Sequence, residues 1–274
     1  MKKILVAVDF SEASLNALKY AIKLAKFTKA ELSILTVYNT IHFTPIAVLG
    51  DMNKHLIDDS IELKNKLEKL LTKINANDKV KYKIYAVVGV PEIEIQKYSR
   101  KLNCTLIVMG QTGNGNFKRF LLGSTTSHVV NTSQIPVMII PSKFKFKPYK
   151  QIVFTSDLNP KNFSFMKSTV DFARVFNSSI KVLFIDTEGG YDAETKILQM
   201  QAALTKKFNY PKISGVILTD LNVKDGINNF VASHKADLAV LVKYHPTLAK
   251  LISTKPNSGK LADSISIPVL VLES

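Results

Sequence analysis

The chain has 274 residues, 46% of them apolar, and a formal charge of +15. That length suits two domains of middling size, and the apolar fraction is ample for their cores. Its apolar runs are strand-length, such as TLIVM at 105–109 and DLAVLV at 237–242, which excludes a membrane span on hydropathy.

The opening MKKILVAVDF begins as a signal peptide would, but Asp9 ends the apolar run well short of an h-region. It reads instead as a first strand at about 3–9. A helix at 12–27 follows, with Ser11 as its cap and Glu12 in the first turn, where the dipole favours an acid. Leu15, Leu18, Ala21, Ile22 and Leu24 recur along it at helical spacing. Next come a strand at 31–38 and a helix at 52–74. In that helix the run DDSIELKNKLEKLLTK sets lysines among acids at i,i+4 spacing, a solvated face. The charge is uneven: residues 1–150 hold 23 Lys/Arg against 11 Asp/Glu, and the remainder 14 against 11. A strand at 80–88, a helix at 91–102 and a strand at 104–109 continue the alternation. Cys104 reads as a buried core thiol, and as the single cysteine it excludes an internal disulfide and fits a reducing cytoplasm. A helix at 124–132 and a strand at 136–140 close the first half.

The order then repeats, with strands near 151–157, 179–186, 213–219, 237–242 and 268–272 and helices near 160–176, 192–208, 223–234 and 258–264. ILVAVDFSEAS parallels QIVFTSDLNPKN, with Asp9 and Asp157 closing the first strand of each copy. SQIPVMIIP parallels ISIPVLVLE, and Pro136 and Pro268 lie 132 residues apart. An internal duplication explains this, giving domains at 1–144 and 145–274. Strands alternating with helices imply α/β domains, each a parallel sheet covered on both faces. The boundary falls in PSKFKFKPYK, where Lys143, Lys145 and Lys147 alternate with Phe144 and Phe146. Rings packed inward with lysines outward is the preferred reading; a basic-aromatic nucleic-acid or lipid contact is the alternative.

The segment MGQTGNGNFKRFLLGSTTS, 109–127, follows the fourth strand at the edge where open α/β sheets bind ligands. It is not a Walker A loop, because Asn116 and Phe117 stand where Lys and Ser/Thr are needed. It is not a dinucleotide fingerprint either, because Lys118 stands where a third glycine belongs. Gly110 and Gly113 remove side chains so that backbone N–H groups approach phosphate oxygens. Gly123, Ser124, Thr125 and Thr126 open a helix whose free N–H groups favour an anion, and the three hydroxyls can add hydrogen bonds. Lys118 and Arg119 can screen phosphate charge or simply face solvent, and Asp9 can accept from a ribose.

The spacing G-x2-G-x9-G-S over Gly110, Gly113, Gly123 and Ser124 resembles the ATP-binding signature of the universal stress protein family. ILVAVDFSEAS resembles that family's opening strand and turn, and IPVMIIP its closing strand. The resemblance covers the chain as two tandem domains, with the signature in the first alone. It implies two doubly wound, Rossmann-like domains of the adenine nucleotide alpha hydrolase-like class, each a five-stranded parallel sheet flanked by helices. It also implies an ATP site, with ADP or AMP left open and Mg²⁺ admissible beside the nucleotide. Carried over by position, Ala7, Val8 and Asp9 would meet the adenosine and Val37 the adenine through its backbone. Met109, Gly110, Thr112, Gly113, Gly123, Ser124, Thr125 and Thr126 would surround ribose and phosphates. In the second copy Val242, His245, Lys255 and Pro256 replace Gly110, Gly113, Gly123 and Ser124, so no ATP is expected there in the same manner.

No catalytic set emerges. The five histidines (His42, His55, His128, His234 and His245) lack metal-ligand spacing, and GSTTS lacks the surroundings of a nucleophile elbow. The expectation is a cytoplasmic stress-response protein whose first domain binds an adenine nucleotide as a structural or regulatory ligand. The second domain would stabilise the first or serve an unknown protein partner. An internal pseudo-dimer is expected, with a homodimer as a further option. The alternatives are a slow ATPase or phosphotransferase with at most weak hydrolysis or autophosphorylation, a nucleic-acid-binding protein, and a flavodoxin-like carrier.

Overall fold

The computed structural model describes residues 2–39, 52–111, 122–158, 163–187, 189, 192–220, 222–242 and 266–272. The chain divides into two compact units, the first holding Met1–Gly115 and Gly123–Phe146 and the second Asn116–Leu122 and Lys147–Ser274. The first unit runs β1 (Lys3–Ala7), α1 (Glu12–Thr28), β2 (Glu31–Asn39), α2 (Met52–Ile74), β3 (Tyr82–Gly89), α3 (Pro91–Lys101), β4 (Leu106–Gly110), α4 (Ser124–Thr132) and β5 (Val137–Ile140). Its strands lie in the order β3-β2-β1-β4-β5, and all four pairings are parallel. Right-handed crossovers place α1 and α2 on one face of this sheet and α3 and α4 on the other. Coverage of both faces explains why Ile4, Leu5, Val6, Ile107 and Val108 are consecutive yet all buried.

The second unit repeats the plan with β6 (Gln151–Thr155), α5 (Phe163–Phe176), β7 (Ser179–Asp186), α6 (Ala193–Phe208), β8 (Ile213–Thr219), α7 (Val223–Ser233), β9 (Leu238–Val242) and β10 (Val269–Leu272). Its order is β10-β9-β6-β7-β8, again parallel throughout. The helix expected at 258–264 lies outside the described residues.

Helix α1 begins as its sequence predicts. The Ser14 N–H donates to Ser11 Oγ at 3.2 Å, and Lys29, in the left-handed region, closes the other end. The buried stripe centres on Ala17, Leu18, Ala21, Leu24 and Ala25. Leu15, expected on that face, falls on its flank and is only half-buried.

Duplication is written into the backbone. Non-glycine residues with positive φ recur at matching places: Phe10 and Leu158, Lys29 and Asn177, Asn103 and Lys235. Each marks a tight exit from a strand or helix that the fold demands whatever side chain occupies it. A side-chain clamp recurs as well. Thr105 Oγ1 accepts the N–H groups of Lys2 and Lys3 at 3.2 and 3.3 Å. Asp237 Oδ2, in the corresponding place, accepts those of Lys150 and Gln151 at 2.7 and 3.0 Å. A hydroxyl in one copy and a carboxylate in the other tie the start of the first strand to the fourth.

The linker rings pack inward. Phe146 meets Tyr20 edge-on at 5.3 Å and Phe27 at 6.2 Å, and Phe144 lies 6.4 Å from Tyr20. Asn16 Nδ2 donates to the Pro141 and Phe144 carbonyls at 2.9 and 3.0 Å. Lys143 and Lys145 are exposed, while Lys147 Nζ pairs with Asp237 Oδ1 at 2.6 Å. Cys104 is buried, and burial pushes its thiol up to about 11. That makes it an inert core residue.

Candidate functional site

In an open sheet the crevice forms where neighbouring strands send their connections in opposite directions. Here β1 connects towards β2 on one side, and β4 stands on its other side. Over the carboxyl ends of these three strands lies a cavity of about 320 Å³. Of the residues singled out from the sequence, Ala7, Val8, Asp9, Val37, Met109, Gly110, Gly123, Ser124, Thr125 and Thr126 line it. Thr112 and Gly113 lie outside the described residues, as do Lys118 and Arg119.

The two described glycines have different physical causes. A Cβ on Gly110 would stand 2.7 Å from the carbonyl carbon and oxygen of Ala13 and 2.9 Å from the Ser14 nitrogen. Gly110 is therefore required for α1 to approach the end of β4, a role that reading it as phosphate clearance misses. Among the described residues, a Cβ on Gly123 would meet only the Gln111 carbonyl oxygen, at 4.0 Å. Gly123 also has φ −60° and ψ 155°, which any residue adopts. Neither packing among the described residues nor backbone geometry demands glycine there.

Gly123 caps α4, and the first bond of that helix runs from the Ser127 N–H to the Gly123 carbonyl at 2.8 Å. Helix geometry leaves the N–H groups of Ser124, Thr125 and Thr126 without intrahelical acceptors, and all three residues line the cavity. Ser124 is exposed and Thr125 half-buried. Thr126 differs from expectation: it is buried, and its hydroxyl donates to the Gly110 carbonyl at 3.0 Å, bracing α4 against β4. That proton is committed to the scaffold. His128, one turn on, is an exposed surface histidine.

Strand register opens a second set of polar groups. The last β1–β2 pair is Ala7 with Leu35, and the Val8 N–H donates to the Leu35 carbonyl at 2.8 Å. Pairing of β2 with β3 continues to Asn39. Main-chain groups alternate sides along a strand, so those of Val37 point towards the β1 side, past the end of β1 and into the cavity. Leu35, Pro91 and Ile95 add apolar wall. Sequence reasoning missed Pro91 and Ile95, which come from α3; the Pro91 helix start was the available signal.

Asp9 stands at the rim, with Oδ1 accepting the Ser11 N–H at 2.9 Å. Its own N–H donates to Ser14 Oγ at 3.3 Å. Desolvation pushes its carboxyl up, but hydrogen bonds from Ser11 and Ser14 outweigh that and hold it below the ordinary value. Asp9 therefore stays an anionic acceptor at neutral pH, suited to hydroxyl donors or to a cation accompanying an anion. It is the one carboxylate among the described cavity residues. Among the described residues there is also no group of three or more His, Cys, Asp or Glu that could hold a metal ion.

The second unit lacks this arrangement where it is described. Val242, buried at the end of β9, stands where Gly110 closes β4. The counterparts His245, Lys255 and Pro256 lie outside the described residues.

Fold and crevice define two tandem α/β domains of the adenine nucleotide alpha hydrolase-like fold. The model of the "Universal stress protein family" matches residues 1–141, and the chain belongs to that family. Universal stress protein YxiE of Bacillus subtilis is 37% identical over 148 residues, covering 50% of this chain and 97% of that protein. Universal stress protein MJ0577 of Methanocaldococcus jannaschii is 35% identical over 156 residues, covering 52% and 96%. At the level of the fold, the crystal structure of a universal stress protein from Archaeoglobus fulgidus matches with a TM-score of 0.78 at 19% identity, covering 99% of this chain and 98% of that one. Among the described residues no helix is long and apolar enough to cross a membrane.

Proposed function

We propose that the first domain binds an adenine nucleotide, ATP in the first instance, as a structural or regulatory ligand. The observation that carries this reading is Gly123, a glycine that neither φ nor packing among the described residues requires, at the opening of a helix whose first residues line a cavity. A glycine there keeps side-chain bulk away from a ligand that must approach the backbone closely. Proteins of this family often bind adenine nucleotides. In the bound state the N–H groups of Ser124, Thr125 and Thr126 receive phosphate, with the Ser124 and Thr125 hydroxyls beside them. Asp9 accepts from the ribose, and the exposed main chain of Val37 meets the base against Leu35, Pro91 and Ile95.

Nucleotide bound this way links β1, β2, β4 and α4, so it favours one conformation of the crevice; regulation then follows as a population shift. The second domain, with Val242 in place of Gly110, serves as a stabilising or partner-presenting module. The decisive experiment is denaturation of freshly purified protein and identification of any released nucleotide by mass, followed by calorimetric titration of stripped protein with ATP, ADP and AMP. A protein that releases none and binds none refutes the reading.

A further inference from the structure

A second cavity, of about 270 Å³, lies towards the amino ends of β1, β2 and β3, and nothing in the nucleotide reading uses it. Its lining includes Lys3, Ser33, Lys81, Lys83, Tyr85 and Leu102, with one carboxylate, Glu31, beside Lys3. The register explains the assembly. Ser33 pairs with Lys83 and Leu35 with Tyr85, and residues 81, 83 and 85 alternate onto one face of the sheet. The Tyr85 ring lies 5.4 Å from that of Tyr98 in α3, which identifies the face and holds the ring in place.

The charge is unbalanced. Lys3 Nζ stands 3.6 Å from Glu31 Oε2. Lys81 and Lys83 have no acidic partner among the described residues. At the floor, Ser33 is only 5% exposed, and its hydroxyl meets no partner among the described residues. A small hydroxyl side chain at this place on the sheet face leaves space that a larger side chain would fill.

The duplicated unit carries other residues at these places. Lys181 stands in β7 at the place of Ser33, paired with Ser214 in the place of Lys83. Lys212, in the place of Lys81, is tied by its Nζ to Asn177 Oδ1 at 2.7 Å. There a long side chain stands on the strand where the first unit has a serine, and the remaining lysine is occupied.

We propose that this cavity is a second ligand site, for a small anion carrying a planar ring. The ammonium groups of Lys81 and Lys83 meet the charge, Tyr85 and Leu102 meet the ring, and Ser33 supplies a hydrogen bond at the floor. The proposal does not depend on what occupies the crevice at the carboxyl ends.

The test is calorimetric titration of the nucleotide-stripped full chain with 2-naphthyl phosphate, with variants of the lining separating this cavity from the crevice. Inorganic phosphate supplies the charge without the ring, and 2-naphthol the ring without the charge. Saturable binding of the naphthyl phosphate is expected, with each partial probe at least tenfold weaker and affinity falling as salt rises. Ser33→Lys, which copies the residue of the second unit, and the surface double variant Lys81→Glu/Lys83→Glu should each weaken binding at least tenfold. Undiminished affinity in both variants overturns the proposal, as does inorganic phosphate binding as tightly as the aryl phosphate. Because the double variant alters only exposed lysines, it reads out even where Ser33→Lys fails to fold.

Discussion

The contrast between Gly110 and Gly123 predicts opposite outcomes for two substitutions only thirteen positions apart. Gly110→Ala places a methyl 2.7 Å from the Ala13 carbonyl group and 2.9 Å from the Ser14 nitrogen. Carbon atoms pack at about 3.5–4.0 Å, so α1 must retreat by roughly 1 Å or β4 must bend. Overpacking of this kind costs about 1–3 kcal/mol, partly offset by about 0.5–1 kcal/mol from a less flexible unfolded chain. A net loss of about 1–2 kcal/mol lowers the melting temperature by about 3–8 °C for a domain of this size. Since α1 also carries Ser11 and Ser14, which hold Asp9, nucleotide affinity falls with it. In Gly123→Val the Cβ meets, among the described residues, only the Gln111 carbonyl oxygen, and its stability cost is that of a poorer helix cap, about 1 kcal/mol or less. Its side chain nevertheless stands where phosphate must reach the N–H groups of α4, and ATP affinity should fall at least about tenfold, or about 1.4 kcal/mol. Thermal melts and calorimetric titrations of both variants read the two quantities separately. Gly110→Ala as stable as the parent would refute the packing account, and Gly123→Val with unchanged ATP affinity would refute the phosphate position.

Two further outcomes follow from single contacts. Thr126→Val removes the donor to the Gly110 carbonyl and should cost about 1–2 kcal/mol in urea unfolding, with ATP affinity reduced only a few-fold. Affinity abolished at unchanged stability would instead make that hydroxyl a direct ligand. In the second unit, desolvation pushes the Asp237 carboxyl up, but Lys147 and the N–H groups of Gln151 and Lys150 outweigh it and hold it below the ordinary value. Its contribution is therefore fully present above the unfolded value of about 3.9 and is lost as pH falls through the lower folded value. Asp237→Asn should destabilise the second unit by about 2–3 kcal/mol at pH 7, little of it from the exposed Lys147. The gap between variant and parent should close in acid; a gap independent of pH would show that the charge is not what matters.

Much of the architecture was legible because it rests on local rules. Period-two and period-3.6 patterns located each described strand and helix to within a few residues, and the cap at Ser11 stands where the sequence puts it. The alternating Lys143, Phe144, Lys145 and Phe146 divided into rings inward and lysines outward, as a period of two requires. Leu15 was misjudged because helical spacing gives a stripe but not its centre, which depends on what the helix packs against.

The crevice was legible as an edge of the sheet and as a set of ten lining residues, yet the reasons for those residues were not. That Gly110 answers to Ala13, and that Thr126 braces Gly110, are facts about segments distant along the chain. The same holds for Pro91 and Ile95 in the wall and for Ser33 beneath Lys83. By itself the sequence determined the alternation of elements, the duplication and the family, because periodicity, turn chemistry and motif spacing act over a few residues. Only the tertiary structure decided which glycine serves packing and which leaves room for a ligand, and where polar groups lack partners. Strand register and the approach of helix to sheet are set by contacts between remote segments, and no local pattern encodes them.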